Sequence, residues 1–175
     1  MDKVIEDFGV QDKKEEIKRW YDGYVIGHTN GIYNPWSILN YIKNRELVPY
    51  WVNTSSNDLI KLILKRSTTV KEKIERLYKG EEIEVKINLE TVIVGVENNE
   101  DNIWGLLVGT GYLKVTGVVD LFNKIYKVQL PNIEIKSLFA EIISNWFRDK
   151  VIGNDLNSIL KDLVTLNLKE FEKKI

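Results

Sequence analysis

The residue types that most often carry catalysis or hold metals are scarce in this chain. Its 175 residues include no cysteine and a single histidine, His28. The absence of cysteine excludes disulfides, thiol nucleophiles and thiolate metal sites, and one histidine excludes a metal motif built on two. A general base at His28 would need a carboxylate or hydroxyl partner, and the sequence assigns none. We therefore interpret His28 as a residue of a solvated turn.

Two Glu-x-Lys triplets have the local spelling of a PD-(D/E)XK nuclease, in which an Asp and a Glu-x-Lys on adjacent strands converge on a metal. They are Glu84-Val85-Lys86 and Glu134-Ile135-Lys136. The first fits the polar face of an alternating strand. The second opens a long helix, where an acidic residue favours the positive N-terminal end. Neither has an evident Asp on a preceding strand, so we predict no catalytic residue and no metal site in this chain.

Two further segments have the composition of anion sites. Gly105, Gly109 and Gly111 form a glycine-rich stretch, but a phosphate loop needs Gly-x-x-x-x-Gly-Lys-Ser/Thr after a strand, and no lysine follows these glycines. The polar cluster at residues 53–58 could bind an anion at a helix N-terminus. Such residues more often cap their own helix. We interpret the first segment as the end of a packed helix and the second as a cap.

Composition limits the class of protein further. The chain has 25 Lys and Arg residues against 26 Asp and Glu, for a formal net charge of −1, which argues against a generic nucleic-acid-binding surface. No apolar run is long enough to span a membrane, and the N-terminus lacks a signal pattern. We expect a soluble cytoplasmic chain without a membrane partner.

The order of predicted elements indicates a mainly helical α+β fold. Residues 1–66 read as a helical subdomain with a short hairpin. Residues 67–132 read as a winged-helix-like unit, because helix, strand, a short element at residues 92–96, helix and two strands follow one another, with residues 112–116 expected to pair antiparallel with residues 124–130. Residues 133–175 read as a C-terminal helical extension.

Capping residues predict two helix starts. Asn34 is expected to cap a helix that has Pro35 at its first position, and Thr69 with Glu72 is expected to form a capping box.

A winged helix raises the alternative of DNA binding. The second helix of such a unit reads bases through basic or amide side chains, and the equivalent stretch here, Ile103 to Val108, offers neither. Lys114, Lys124 and Lys127 lie around the predicted strand tip. They are too few and too scattered to fix a register on phosphates, so direct reading of DNA is the less favoured function.

Five strings taken together resemble bacterial AAA-ATPase-like proteins that carry a C-terminal PD-(D/E)XK nuclease-like domain. Three come from the first third of the chain and are specific in this order; the other two are weaker taken alone. The strings are Trp20-Tyr21-Asp22-Gly23-Tyr24, Tyr33-Asn34-Pro35-Trp36-Ser37-Ile38-Leu39-Asn40-Tyr41, Tyr50-Trp51-Val52-Asn53-Thr54-Ser55-Ser56-Asn57, Gly111-Tyr112-Leu113 and Leu130-Pro131-Asn132-Ile133-Glu134-Ile135.

The resemblance implies a connecting role. Such proteins begin with a P-loop ATPase core and end with a nuclease motif, and this chain has neither. It therefore resembles their middle part, with residues 1–66 as a helical lid-like segment, residues 67–132 as a winged helix and residues 133–175 as a helical lead-in toward the missing nuclease-like domain. The resemblance implies a fragment, an engineered piece or a decayed gene product. ATP and Mg²⁺ are expected only in the missing domains, and no cofactor residue carries over to this chain. The expected partners are the missing ATPase core and nuclease-like domain, together with a second copy in a homodimer that covers exposed apolar surface.

The aromatic residues near the N-terminus are expected to form a mostly buried cluster, part of which faces the missing core. These residues are Trp20, Tyr21, Tyr24, Trp36 and Trp51.

Overall fold

A computed structural model of the chain describes residues 2–26, 29–52, 57–64, 67–88 and 99–153. The chain divides into two compact units, residues 1–139 and residues 140–175, and the sheets and the site described below belong to the first. Helices and two small antiparallel sheets make up the fold, so the predicted α+β class is confirmed. Among the described helices, none combines the length and apolar character needed to cross a bilayer.

The N-terminal part is a set of short helices and one hairpin. Asn34 begins the third helix as predicted: its side-chain oxygen accepts from the backbone N–H of Trp36 at 3.0 Å, and Pro35 occupies the first helical position. The elements are α1 (Asp2–Asp7), a 3₁₀ turn (Gln11–Lys13), α2 (Lys14–Tyr21), β1 (Tyr24–Ile26), β2 (Thr29–Ile32) and α3 (Pro35–Asn44).

The remaining elements follow the predicted order, with one correction at a helix start. The capping box predicted at Thr69 and Glu72 is wrong, because Ser67 caps the helix instead: its Oγ accepts from the backbone N–H of Val70 at 3.3 Å. The same hydroxyl donates to Glu100 at 2.9 Å and so ties two helices together. The elements are α4 (Asn57–Leu64), α5 (Thr68–Tyr78), β3 (Ile83–Lys86), α6 (Glu100–Gly109), β4 (Lys114–Asp120), β5 (Ile125–Gln129) and α7 (Ile133–Gly153).

The predicted strand pair is confirmed. β4 and β5 are antiparallel, with Lys114 opposite Gln129 at one end and Asp120 opposite Ile125 at the other. β3 pairs with the far side of β5, which gives the strand order β3-β5-β4. This is the arrangement that the winged-helix interpretation requires of these strands. The short element expected at residues 92–96 lies outside the described residues.

A glycine inside α6 lets this helix approach the end of β3. A Cβ at Gly105 would collide with the backbone carbonyl of Asn88. Only glycine, which has no side chain, allows the two backbones to lie this close. Trp104 and Leu107 on α6 and Ile83 and Val85 on β3 are buried. The sequence therefore gives up some helix propensity at Gly105 for close packing.

Several predicted features fall outside the described residues. They are the turn that holds His28, the cap residues at 53–56, and the helices expected beyond Gly153.

Gly23 is predicted not to tolerate a side chain. Its φ is +100°, and a Cβ there would collide with the carbonyl oxygen of Pro131. We expect Gly23→Ala to lower the free energy of unfolding by about 3 kcal/mol, from backbone strain and overpacking together. Gly80→Ala is the matched control, because Gly80 has φ +92° and open space around its Cβ position, and it should cost about 1 kcal/mol. Urea denaturation of the two variants measures the difference, and equal losses would contradict this account.

Candidate functional site

The three lysines predicted to contact nucleic acid do not form one patch. Lys114 and Lys124 lie at opposite ends of the β4–β5 hairpin, which places them about 20 Å apart along an extended strand. Lys127 Nζ lies 3.2 Å from Glu82 Oε1 and is engaged in that ion pair. The structure therefore does not bring these three charges together over a single phosphate path.

The two Glu-x-Lys triplets do not converge on a common point either. Lys86 Nζ lies 3.3 Å from Asp101 Oδ2, and Lys136 Nζ lies over the Tyr78 ring, 5.1 Å from its centroid. Within the described residues, no group of three His, Cys, Asp or Glu side chains is placed to hold a metal ion. The glycine-rich stretch ends α6 and turns at Gly111, whose φ is +84°.

The feature that stands out is a buried carboxylate, Glu134, whose exposed fraction is 0%. The Ser37 hydroxyl lies 2.9 Å from each of its two oxygens and donates to them. The backbone N–H of Trp51 donates to Oε1 at 2.7 Å. Sequence reasoning placed Glu134 at an ordinary helix start and missed this role. The only signal that could have found it was its position in the string Leu130-Pro131-Asn132-Ile133-Glu134-Ile135.

Three separate parts of the chain meet at this carboxylate. Ser37 lies in the first turn of α3, Trp51 lies in the turn that follows, and Glu134 is the second residue of α7. Asn132 fixes the start of α7, because its side-chain oxygen accepts from the backbone N–H of Ile135 at 3.0 Å. We call the set Ser37, Trp51, Asn132 and Glu134 the Glu134 junction.

Burial dominates the electrostatics of the junction. Removal from water raises the pKa of Glu134, and the backbone N–H of Trp51, the Ser37 hydroxyl and the backbone N–H of Tyr50 oppose that rise. These donors are all neutral, so they solvate the carboxylate without cancelling its charge. Such a group is suited to holding elements together; a metal or phosphate site would need charges or ligands that converge on open space.

Asp22 and Asn132 extend the junction to the hairpin formed by β1 and β2. The Asn132 side-chain amide donates to the backbone carbonyl of Asp22 at 2.9 Å. The backbone N–H of Gly23 donates to the Asp22 carboxylate at 2.6 Å. The backbone N–H of Asn34 donates to the carbonyl of Tyr21 at 3.0 Å. The end of α2, the start of α3 and the start of α7 are thus joined by hydrogen bonds.

Aromatic rings surround the Glu134 junction. Trp51 packs on Tyr112 with ring centroids 5.1 Å apart and meets Tyr24 edge-on at 6.5 Å. The Tyr24 hydroxyl is buried without a well-formed hydrogen bond among the described residues. Burial raises the pKa of Tyr24 to about 12, although the nearby Asn132 and Asn34 side chains lower it in part. Each of the five strings that carry the resemblance contributes residues to this region.

The aromatic residues expected to cluster near the N-terminus differ in their exposure. Tyr21 is fully buried, and its hydroxyl donates to the carbonyl of Val48 at 2.9 Å. Trp36, by contrast, is 55% exposed, and Leu39 on the same helix is 64% exposed. Because Ser37 must face inward to reach Glu134, the helical spacing turns its neighbour Trp36 outward.

An uncharged cleft opens beside the junction. Its volume is about 420 Å³, within the range of ligand or side-chain pockets. Its described walls are the β1–β2 hairpin, Trp51 and the end of α6, and none of the described residues that line it is charged. The lining residues are Tyr24, Val25, Ile32, Tyr33, Asn34, Pro35, Trp51, Val108, Gly109, Thr110 and Gly111.

Removing the hydroxyl of Ser37 should destabilise the chain. Ser37→Ala leaves a buried carboxylate without one of its donors, which we expect to cost about 2 kcal/mol of unfolding free energy. Ser137→Ala is the control, since the Ser137 hydroxyl donates to a backbone carbonyl of its own helix, that of Glu134, at 2.7 Å, and should cost under about 0.5 kcal/mol. Urea denaturation compares them. A loss at Ser37 no larger than at Ser137 would contradict the assigned role.

The titration of Glu134 predicts a pH dependence of stability. Burial raises the pKa of Glu134 above 4.5. The contribution of Glu134 to the free energy of unfolding is therefore fully present below about pH 4.5 and is lost as pH rises through its folded-state pKa. Glutamine does not titrate. The unfolding free energy of Glu134→Gln minus that of the native chain should therefore increase with pH above about 4.5, as followed by urea denaturation at a series of pH values.

Glu82 provides a control of opposite sign. Its hydrogen bonds from Thr116 and Lys127 lower its pKa below 4.5, so its contribution is present above that value and is lost as pH falls. The corresponding difference for Glu82→Gln should decrease as pH rises through the acid range and then become constant. A flat difference for Glu134→Gln would be inconsistent with its burial as a titrating group.

Comparison with known proteins gives one relative of undescribed activity. No family model matches the chain, and no solved structure matches it. The chain is 25% identical over 131 residues to a protein of Azotobacter chroococcum mcd 1 described as "Uncharacterized protein in vnfD 5'region". The alignment covers 74% of this chain and 23% of that relative. The chain thus spans less than a quarter of the length of the curated relative that it matches.

Proposed function

We propose that this chain is a non-catalytic connecting segment of a larger AAA-ATPase-like protein, between a P-loop ATP-binding core and a PD-(D/E)XK nuclease-like domain. Its work is mechanical: it packs against the core and fixes the direction in which the chain continues. The observation that carries the proposal is the Glu134 junction, where a buried carboxylate joins α3, the turn at Trp51 and the start of α7.

The junction has the physical properties of a coupling element. Breaking one contact leaves a buried charge with fewer donors, which is costly, so α3 and α7 are expected to move together. The strings that resemble the AAA-ATPase-like proteins meet at this point, which is consistent with a role shared by those proteins. The relative from Azotobacter also supports the proposal, because the matched segment is a minor part of a longer chain.

The outer face of α3 is the surface that we assign to the ATP-binding core. Trp36 and Leu39 are three residues apart and therefore neighbours on one helical face, and both are more than half exposed. They follow directly on the Asn34-Pro35 cap and flank Ser37. An ATP-binding core that pushes on this face would act on α3, the helix whose Ser37 donates to Glu134.

ATP and Mg²⁺ belong, in this proposal, to the domains on either side. No residue of this chain is assigned to either. The isolated chain should hydrolyse neither ATP nor DNA in the presence of Mg²⁺, and turnover by the purified chain would contradict the proposal.

A genetic and binding experiment tests the connection. The DNA that flanks the coding segment should encode Gly-x-x-x-x-Gly-Lys-Ser/Thr upstream. The polypeptide that carries this motif, produced separately, should bind the native chain in calorimetry. Trp36→Glu should weaken that binding by about tenfold or more, whereas Phe8→Glu, at another half-exposed aromatic position, should not. Flanking DNA without the motif, or equal binding of both variants, would contradict the proposal.

The DNA-binding alternative is tested in parallel. The observed separation of Lys114 and Lys124 leads us to expect no salt-dependent binding of duplex DNA by fluorescence anisotropy at low salt. Binding that is lost when Lys114 and Lys124 are both changed to Glu would favour the winged-helix DNA module instead.

A further inference from the structure

The turn between β4 and β5 projects an apolar tip. Phe122 is 93% exposed and Leu121 is 73% exposed, and Val118 and Val119 on the adjoining strand are also exposed. These four residues, here called the tip, expose roughly 400 Å² of apolar surface, at the level where such a patch on a single chain marks an interaction site.

The tip is held in one conformation by its own turn. Asp120 accepts from the backbone N–H of Asn123 at 2.9 Å and from its side-chain amide at 2.8 Å. The backbone N–H of Lys124 donates to the carbonyl of Leu121 at 3.3 Å, and the carbonyl of Lys124 accepts from Ile87 at 3.0 Å. Phe122 is therefore presented on an ordered support, which lowers the entropy cost of binding.

The uncharged cleft lies at the other end of the same strand. β4 begins at Lys114, just after Gly109, Thr110 and Gly111 of the cleft wall, and ends at Asp120, just before Leu121 and Phe122. Seven extended residues span about 20 Å, so the tip of a chain does not reach its own cleft. The side chains of Leu121 and Phe122 occupy roughly 250 Å³ at protein packing density, which fits within the 420 Å³ of the cleft.

A second copy related by a two-fold axis near Gly117 would bring each tip to the cleft of the other copy. If the two β4 strands run antiparallel with Gly117 at the axis, Asp120 of one copy lies opposite Lys114 of the other, which places Leu121 and Phe122 next to the segment that lines the cleft. β4 is an edge strand of its sheet.

We propose that this chain forms an isologous homodimer in which the Leu121–Phe122 tip of each copy inserts into the uncharged cleft of the other. Both contacts form at once, as closed two-fold symmetry requires. Two tips and two cleft linings together bury on the order of 1,000 Å², which is the lower limit for a specific protein interface. The neutral cleft lining selects an apolar, uncharged insert, and the tip provides one.

Sedimentation velocity over a range from low micromolar to several hundred micromolar tests the dimer. The native chain should shift from monomer to dimer, and Phe122→Glu should raise the dissociation constant by about tenfold or more. Phe8→Glu is the matched control at an exposed phenylalanine elsewhere. Because Phe122 is almost fully exposed, its replacement should leave the far-ultraviolet circular dichroism and the melting temperature unchanged.

A second pair of variants tests the reciprocal insertion itself. Gly109→Leu should fill the cleft without strain, since a Cβ at Gly109 has no neighbour within 4 Å, and should weaken the dimer as Phe122→Glu does. A mixture of the two single variants retains one intact tip and one intact cleft and should form heterodimers of intermediate affinity. A mixture of native chain with the double variant retains no matched pair in a heterodimer and should form none.

Three results would overturn the proposal. They are a native chain that stays monomeric throughout the range, a Phe122→Glu variant that dimerises as well as Phe8→Glu, and equal heterodimer formation in the two mixtures. A partner that binds the tip of a monomeric native chain would assign this surface to a different occupant. None of these results depends on whether the chain connects two larger domains.

Discussion

A buried carboxylate costs several kcal/mol unless hydrogen bonds replace those that water supplied, and Glu134 is buried completely. The Ser37 hydroxyl and the backbone N–H of Trp51 make that replacement. Their geometry holds only while α3, the turn after it and the start of α7 keep their present positions. The arrangement of the first unit around the junction depends on this one solvated charge.

The neighbouring packing follows from the same constraint. Gly23 must lie against the carbonyl of Pro131, because Asn132 reaches back to the carbonyl of Asp22 while capping α7. Ser37 must face inward, and Trp36 is turned outward as a result. Local features that look unrelated in the sequence, a glycine, a serine and an exposed tryptophan, thus share one cause.

The three-stranded sheet and α6 pack by apolar contacts instead. Their interior is formed by alternating residues of β3 and by α6. Two surfaces lie at opposite ends of β4: the uncharged cleft and the projecting apolar tip. Lys127 of β5 is engaged in an ion pair with Glu82. This distribution suits contacts between proteins better than contacts with phosphates, which need clustered cations.

Local chemistry in the sequence was enough to predict the α+β class, the Asn34-Pro35 helix start and the antiparallel pairing of β4 with β5, because capping, periodicity and turn residues act over a few positions. The sequence did not reveal the role of Glu134, which it offered only as an ordinary acidic residue at a helix start. Its partners Ser37 and Trp51 are 97 and 83 residues away along the chain. Only the tertiary fold determines which donors surround a carboxylate and how much water is excluded from it, because both depend on the positions of distant elements.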